Sequence, residues 1–247
     1  MKNFIEKISR NTLKALGYKL VNYRSEVEEE EMRSFIRFLH DNPHKSHAQL
    51  FQDMFVEFEL KGKKNGFFVE FGATDGLTIN NTFALEKYFG WSGILAEPAR
   101  CWREQISINR NCIKDFRCVW TKSGEQIVFN EVSESPELST IDIFSDSDLH
   151  KDARQGKNCY TVDTVSLNDL LKENSAPRKI DYLSIDTEGS EFDILNQFDF
   201  DYWDISIITV EHNDSPKRKD IFKLLSSKGY KRKFEYFSRW DDWYVKA

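Results

Sequence analysis

Apolar positions recur with two different spacings along this chain, and the change between them divides it. From Glu26 to His40 the residues Met32, Phe35, Ile36 and Leu39 follow helical spacing behind an acidic start, Glu28 to Glu31, which suits the positive end of a helix dipole. Asp41-Asn42-Pro43 stops that helix. A second helix is expected over about 46–60, ahead of the basic, glycine-bearing stretch Lys61 to Gly66. Before both, Phe4, Ile8, Leu13, Leu16 and Leu20, with Lys2, Lys7, Arg10, Lys14 and Lys19, read as a broken basic amphipathic helix. Such a helix packs on the following domain or makes peripheral contact with a membrane surface or a partner. Residues 1–62 are thus expected to form an N-terminal helical extension, and residues 63–247 the main domain.

Beyond residue 62, short apolar runs alternate with helical segments, the pattern of an α/β domain with a mostly parallel sheet and helices on both faces. Strands are expected near 67–71, 93–97, 115–120, 180–185, 205–211, 230–236 and 241–246. Helices are expected near 81–89, 99–109, 166–173, 189–197 and 216–228. The last two strands are close enough to form a hairpin, so a seven-stranded sheet with a reversed last strand fits. Two further strands, near 126–132 and 159–165, bracket a polar stretch over 133–158 that is longer than an ordinary connection. It reads either as a lid that recognises the acceptor or as a mobile surface insertion.

Two strand ends carry candidate chemistry. The run Phe67 to Phe71 contains Glu70 and breaks into Gly72-Ala73-Thr74-Asp75-Gly76, whose glycines let a ligand approach the backbone closely. The run Gly93 to Ala96 ends in Glu97-Pro98, about 25 residues after Gly72. At about that distance a doubly wound sheet sets an acid against a ribose. The turn reads E-x-G-x-x-x-G and not the G-x-G-x-x-G that receives a pyrophosphate. Acidic groups at Glu70 and Asp75 repel a pyrophosphate but suit a ligand carrying an ammonium and a sulfonium, which favours S-adenosylmethionine over NAD.

At these residues the chain resembles the FkbM family of S-adenosylmethionine-dependent methyltransferases. The resemblance covers about residues 66–213. It rests on Val69 to Gly76, Asn81-Thr82 with Leu85-Glu86-Lys87, Gly90 to Gly93 leading to Glu97-Pro98, Thr164 to Leu171, Ile180 to Glu191, and Val210 to Asn213. It implies a Rossmann-like class I methyltransferase fold and O-methylation, often of a sugar hydroxyl in polysaccharide or glycoconjugate biosynthesis. The acceptor implied is a carbohydrate or nucleotide-sugar. The family's adenine-side segment matches only loosely, at Val119 to Gly124. Donor contacts are expected at Glu70, Gly72, Ala73, Asp75, Gly76, Asn81, Glu97, Pro98 and Asp186.

A sugar hydroxyl is a very weak acid, so methyl transfer to it needs a general base, a metal, or both. In open α/β sheets ligands gather at the carboxyl ends of the strands. The fourth and fifth expected strands end in Asp186-Thr187-Glu188 and Glu211-His212-Asn213. Two mechanisms stay open. In one, His212 is the base, oriented by Asp186 or Glu188. In the other, Asp186 and Glu211, with His212 or Asn213, hold a divalent metal such as Mg2+ or Mn2+. Glu191 reads instead as a first-turn helix residue. Trp91 and Trp120 read as core, and Lys217-Arg218-Lys219 and Lys231-Arg232-Lys233 as solvated faces or phosphate contacts.

Composition narrows the field further. A formal charge of −6 argues against a nucleic-acid partner, and with it against an RNA methyltransferase. The four cysteines, Cys101, Cys112, Cys118 and Cys159, lie at no metal or redox spacing and read as free thiols in a reducing, cytoplasmic setting. No apolar stretch reaches the ~20 residues of a membrane span, and the first residues do not read as a signal peptide. Two rivals remain on sequence grounds: a nucleotide-dependent oxidoreductase on a similar sheet, and a non-catalytic scaffold module.

Overall fold

A computed structural model of the chain describes residues 23–42, 45–145 and 157–247. The basic helix expected near the start of the chain, and the middle of the 133–158 stretch, lie outside the described residues. The chain forms two compact units that divide between Pro43 and His44. In the first, helix α1 (Tyr23–Asp41) carries exposed ion pairs between Arg33 and Glu29 and between Arg37 and Glu30. The sheet-bearing unit begins at His44, so residues 44–62, read from the sequence as part of the extension, belong to it.

That unit opens with helix α2 (Gln52–Glu59), which starts later than the expected residue 46. Asp53 accounts for the delay. Its carboxylate accepts hydrogen bonds from the Ser46 hydroxyl and from the His47 and Ala48 amides (2.7, 2.7 and 3.3 Å), which holds the preceding residues in a loop. The chain then runs β1 (Phe67–Phe71), α3 (Phe83–Phe89), β2 (Ser92–Ala96), α4 (Arg103–Asn109) and β3 (Ile113–Asp115). There follow β4 (Cys118–Trp120), β5 (Gln126–Val132), β6 (Thr140–Ile141), β7 (Lys157–Ser166) and α5 (Leu167–Glu173). The last part holds β8 (Lys179–Ile185), α6 (Glu191–Asn196), β9 (Asp204–Glu211), α7 (Arg218–Ser227), β10 (Tyr230–Lys233) and β11 (Asp241–Lys246).

Seven strands form the main sheet, in the order β10-β11-β9-β8-β1-β2-β3. The pairs from β9 to β3 are parallel, while β11 runs antiparallel between β9 and β10. Its centre is apolar and fully buried: Val69, Ile94, Leu183 and Ile208 are each at most 1% exposed. This is the near-continuous hydrophobic character that strands covered on both faces require.

The single strand expected over 115–120 is two strands in two different sheets. Ile113–Asp115 pairs with β2, whereas Cys118–Trp120 pairs with β7. Arg117 marks the break, with its guanidinium bonded to both oxygens of Asp115 (2.6 and 3.0 Å) and to Glu173 (2.7 Å). The second sheet has the order β4-β7-β5-β6 and its own small core around Phe129, Ile141 and Val162. The expected strand over 230–236 stops at Lys233, where Phe234 turns to a left-handed φ of 52°.

Candidate active site

Parallel register brings the ends of β1, β2 and β8 to one place. Phe71 lies beside Ala96 on one side and Ile185 on the other, so Gly72, Glu97 and Asp186 emerge together. The Gly72 amide donates to the Ala96 carbonyl (3.2 Å), and the Asp186 amide donates to the Phe71 carbonyl (3.3 Å). Gly72 has a φ of +73°, and a Cβ there would fall 1.8 Å from the Asp186 carbonyl oxygen. No side chain fits, so the glycine is a steric requirement of the crossing.

Antiparallel pairing adds a third acid. In β11 Asp241 lies opposite Glu211 and Asp242 opposite Val210, while Ile185 of β8 lies beside Val210. Asp186, Glu211 and Asp241 therefore form a row across three adjacent strands. Glu188, in the turn after β8, completes the group. One oxygen each from Asp186, Glu188 and Glu211 lies within 4.8 Å of the others. Asn213 donates to Glu211 (2.8 Å) and to Glu188 (3.3 Å). Gln52 donates to Asp241 (2.7 Å), and its orientation is fixed because its own carbonyl oxygen accepts the Leu50 amide (2.8 Å).

These residues line a cavity of about 440 Å3, a size typical of small-molecule sites. Its apolar half is formed by Trp102, Val119, Phe129, Leu138 and Ile141, and its polar half by Glu97, Asp186, Glu188, Glu211, Asp241 and Asn81. Among the described residues no lysine, arginine or histidine lines it. Of the residues singled out from the sequence, Gly72, Asn81, Glu97, Pro98, Asp186, Glu188 and Glu211 are in the wall.

Glu70, Ala73, Asp75, Gly76 and His212 are not in the wall. The Glu70 carboxylate is buried and holds the loop after β1, accepting the Asn81 amide (2.9 Å) and the Thr82 hydroxyl (2.5 Å). Arg110, itself fully buried, stands 3.9 Å from it and ties the same loop through Glu86, Asn80, Thr82 and the Gly76 carbonyl. Asp75 closes a tight turn by accepting the Leu77 and Thr78 amides (2.8 and 2.6 Å). The Ala73 carbonyl takes the Gly76 amide (2.9 Å) and the Asn80 side chain (3.1 Å).

His212, the first residue after β9, is not in the cavity wall and turns toward Asp242. Its Nδ1 accepts the Asp214 amide (3.0 Å), and its Nε2 lies 3.7 Å from Asp242. Burial holds its pKa below the usual imidazole value. Arg218 and Arg232 pair with Asp242, and Lys233 pairs with Glu59, so much of the two basic runs is engaged in internal ion pairs. Trp91 is buried and donates to the Lys63 carbonyl (2.8 Å), and Trp120 packs edge-on against Phe144.

Burial pushes the Glu97 carboxyl up to about 7 and Asp186 up to about 6. It pushes Asp241 up to about 7, and Glu211 is raised well above the usual carboxylate range by burial and by Asp186 and Glu188. Asp186 and Glu211 carry oxygens within 4.8 Å of each other, and the charge on Asp186 favours retention of a proton on Glu211. Each of these acids is easier to protonate in the folded chain than in the unfolded one. Their contribution to stability is therefore full at low pH and lost as pH rises through the folded values. The ligand-free protein is expected to lose melting temperature steadily between pH 4 and pH 7. Thermal unfolding across that range checks it, and a flat or rising profile would contradict the burial of these charges.

Numbered in chain order within the main sheet, the strands run 3-2-1-4-5-7-6 with the seventh reversed, and the cavity lies at the carboxyl ends of its parallel strands. Fold and site define a Rossmann-like class I methyltransferase. The chain belongs to the FkbM methyltransferase family: residues 70–236 match the family described as "Methyltransferase FkbM domain". Among solved structures it is similar to a precorrin-6y C5,15-methyltransferase from Geobacter metallireducens GS-15, with 10% identity over 73% of this chain and 71% of that one, at a TM-score of 0.40. It is also similar to a chain of a fibrillarin/Nop5p complex, with 10% identity over 81% of this chain and 80% of that one, at a TM-score of 0.39. Neither likeness is close enough to carry a functional argument. Comparison with curated protein sequences returns no match.

Asp241, Gln52, Trp240 and Trp102 line the cavity although sequence reasoning did not single them out. For Asp241 a signal existed. A strand that runs antiparallel beside β9 must begin where β9 ends, so its first residue falls next to Glu211.

Proposed function

We propose that this methyltransferase acts on oxygen, at a sugar hydroxyl of a polysaccharide, nucleotide-sugar or other glycoconjugate precursor. The observation that carries the reading is the row Asp186, Glu211 and Asp241, set beside the Gly72–Glu97 corner in one cavity. Bound S-adenosylmethionine supplies a methyl group already activated on a sulfonium. The donor set fits it. Glu97 accepts one backbone amide on each oxygen (Ala99 at 2.9 Å, Thr74 at 3.1 Å), which leaves lone pairs for two ribose hydroxyls. Val119, Phe129 and Ile141 offer an apolar wall to a base, and the acidic lining suits a cationic donor.

The Asp186–Glu211 pair is the proton acceptor for the acceptor hydroxyl. His212, the base expected from the sequence, faces Asp242 on the opposite side of β9. Carboxylates in the row also accept hydrogen bonds from neighbouring hydroxyls, which orients a polyol. A second reading is favoured by the approach of Asp186, Glu188 and Glu211 within 4.8 Å. These three, with Glu188 in the place given to His212 by the sequence, would hold Mg2+ or Mn2+ through oxygen ligands alone. Full activity in excess EDTA would end that version.

Family membership favours methyl transfer over the oxidoreductase and scaffold alternatives. Among the described residues no helix is long and apolar enough to cross a membrane. A cytoplasmic setting is proposed from the four free cysteines. Labelled methyl transfer to a panel of nucleotide-sugars and oligosaccharides, with mass spectrometry of the products, tests the acceptor class. Label found only on nitrogen or carbon would overturn O-methylation.

Glu97→Ala is expected to weaken S-adenosylhomocysteine binding roughly tenfold to a hundredfold, the scale of a pair of charge-assisted hydrogen bonds. Calorimetric titration reads this, and unchanged affinity would remove Glu97 from the donor site.

A further inference from the structure

We infer that Thr140 is a positioning residue of the cavity, latching the segment 136–141 onto the backbone turn that carries Glu188. The inference rests on the proposed reading of the cavity as the donor site. Thr140 is 1% exposed and sits on the edge strand β6, with Asn130 opposite it and Ile141 opposite Phe129. Alternation turns the two residues of β6 apart. Ile141 faces the cavity together with Pro136, Leu138 and Ser139, whereas Thr140 points at the turn after β8. Its hydroxyl donates to the Glu188 carbonyl at 3.0 Å and lies 3.4 Å from the Thr187 carbonyl.

That turn needs holding. Glu188 has a φ of 58°, a left-handed conformation that a glutamate keeps only where neighbours enforce it. From α6, Glu191 accepts the Thr187 amide (3.0 Å) and the Gly189 amide (2.9 Å). From the start of α7, Lys217 donates to the Gly189 carbonyl (3.1 Å) and lies 4.3 Å over the Phe144 ring. Thr140 supplies the bond from the segment 136–141. The cavity wall over 136–141 and the turn that aims Glu188 into the same cavity are thus one mechanical unit. A ligand seated there leaves by parting them.

The test uses S-adenosylhomocysteine as probe, with Thr140→Val, Thr140→Ala and Thr140→Ser compared by stopped-flow binding on the full chain. Both variants without the hydroxyl are expected to raise the dissociation rate roughly tenfold, the scale of one buried hydrogen bond. Thr140→Ser should stay within about twofold of the parent because it keeps the donor. Parent-like dissociation in Thr140→Val and Thr140→Ala, or an equal loss in Thr140→Ser, would overturn the inference. So would failure of both hydroxyl-free variants to fold, which would make the bond one of general stability. A folded parent protein that binds no S-adenosylhomocysteine would sink the donor-site reading itself, and the latch with it.

Discussion

Arg110→Leu is expected to lower the stability of the sheet-bearing unit by about 3–5 kcal/mol, the cost of removing one partner from a buried ion pair. Arg110 is 1% exposed and makes hydrogen bonds to Glu86 (2.7 Å), Asn80 (2.8 Å), Thr82 (2.9 Å) and the Gly76 carbonyl (3.2 Å). Removing it leaves Glu70 without its compensating charge. Burial already raises the Glu70 pKa, and Arg110 opposes that rise. The loss should therefore be larger at pH 8 than at pH 5, because the uncompensated carboxylate is more readily protonated at the lower pH. Urea unfolding at both pH values measures it. A loss below about 1 kcal/mol would show that water reaches Glu70 in the folded chain. Because residues 73–82 are tied through Arg110, S-adenosylhomocysteine affinity should fall in the same variant.

Asp186→Asn should remove methyl transfer by at least about a hundredfold, the usual worth of a positioned general base, while changing S-adenosylhomocysteine affinity far less. The substitution keeps the size of the side chain at the end of β8 but removes the carboxylate that raises the Glu211 pKa. It also removes a half-buried negative charge from a cavity with no basic residue in its described wall. The variant should consequently melt higher than the parent at pH 8, and the gain should shrink toward pH 5. Activity lost while stability rises is the signature of a group kept for chemistry. Retention of turnover would move the base to Glu211 or Asp241.

What the sequence made legible follows from which interactions are local. The apolar runs of β1, β2, β8 and β9 mark themselves, and their terminal residues Glu97, Asp186 and Glu211 follow directly into the cavity wall. Glu70 and Asp75 looked equally suited to a cationic ligand, yet both are taken up in holding the loop. The partner that explains Glu70 is Arg110, some 40 residues later in the chain, and nothing local announces that pairing. His212 lies outside the cavity wall because the chain leaves β9 at Glu211 and carries the imidazole toward Asp242, a contact with a distant strand. Asp241 needed the register of an antiparallel pair, which depends on contacts between distant segments. The split between Asp115 and Cys118 likewise reflects sheet assignment: three residues of each strand look alike, and only their partners, β2 and β7, tell them apart.

The pocket at the ends of β1, β2, β8 and β9 stands or falls on calorimetric titration of S-adenosylhomocysteine into the folded protein at pH 7.5. One-to-one binding is expected, with a matching rise in melting temperature and a clear loss in Glu97→Ala. A well-folded sample that gives no heat and no thermal shift at millimolar ligand would contradict the donor site, and with it the roles given to Glu97, Asp186 and Thr140.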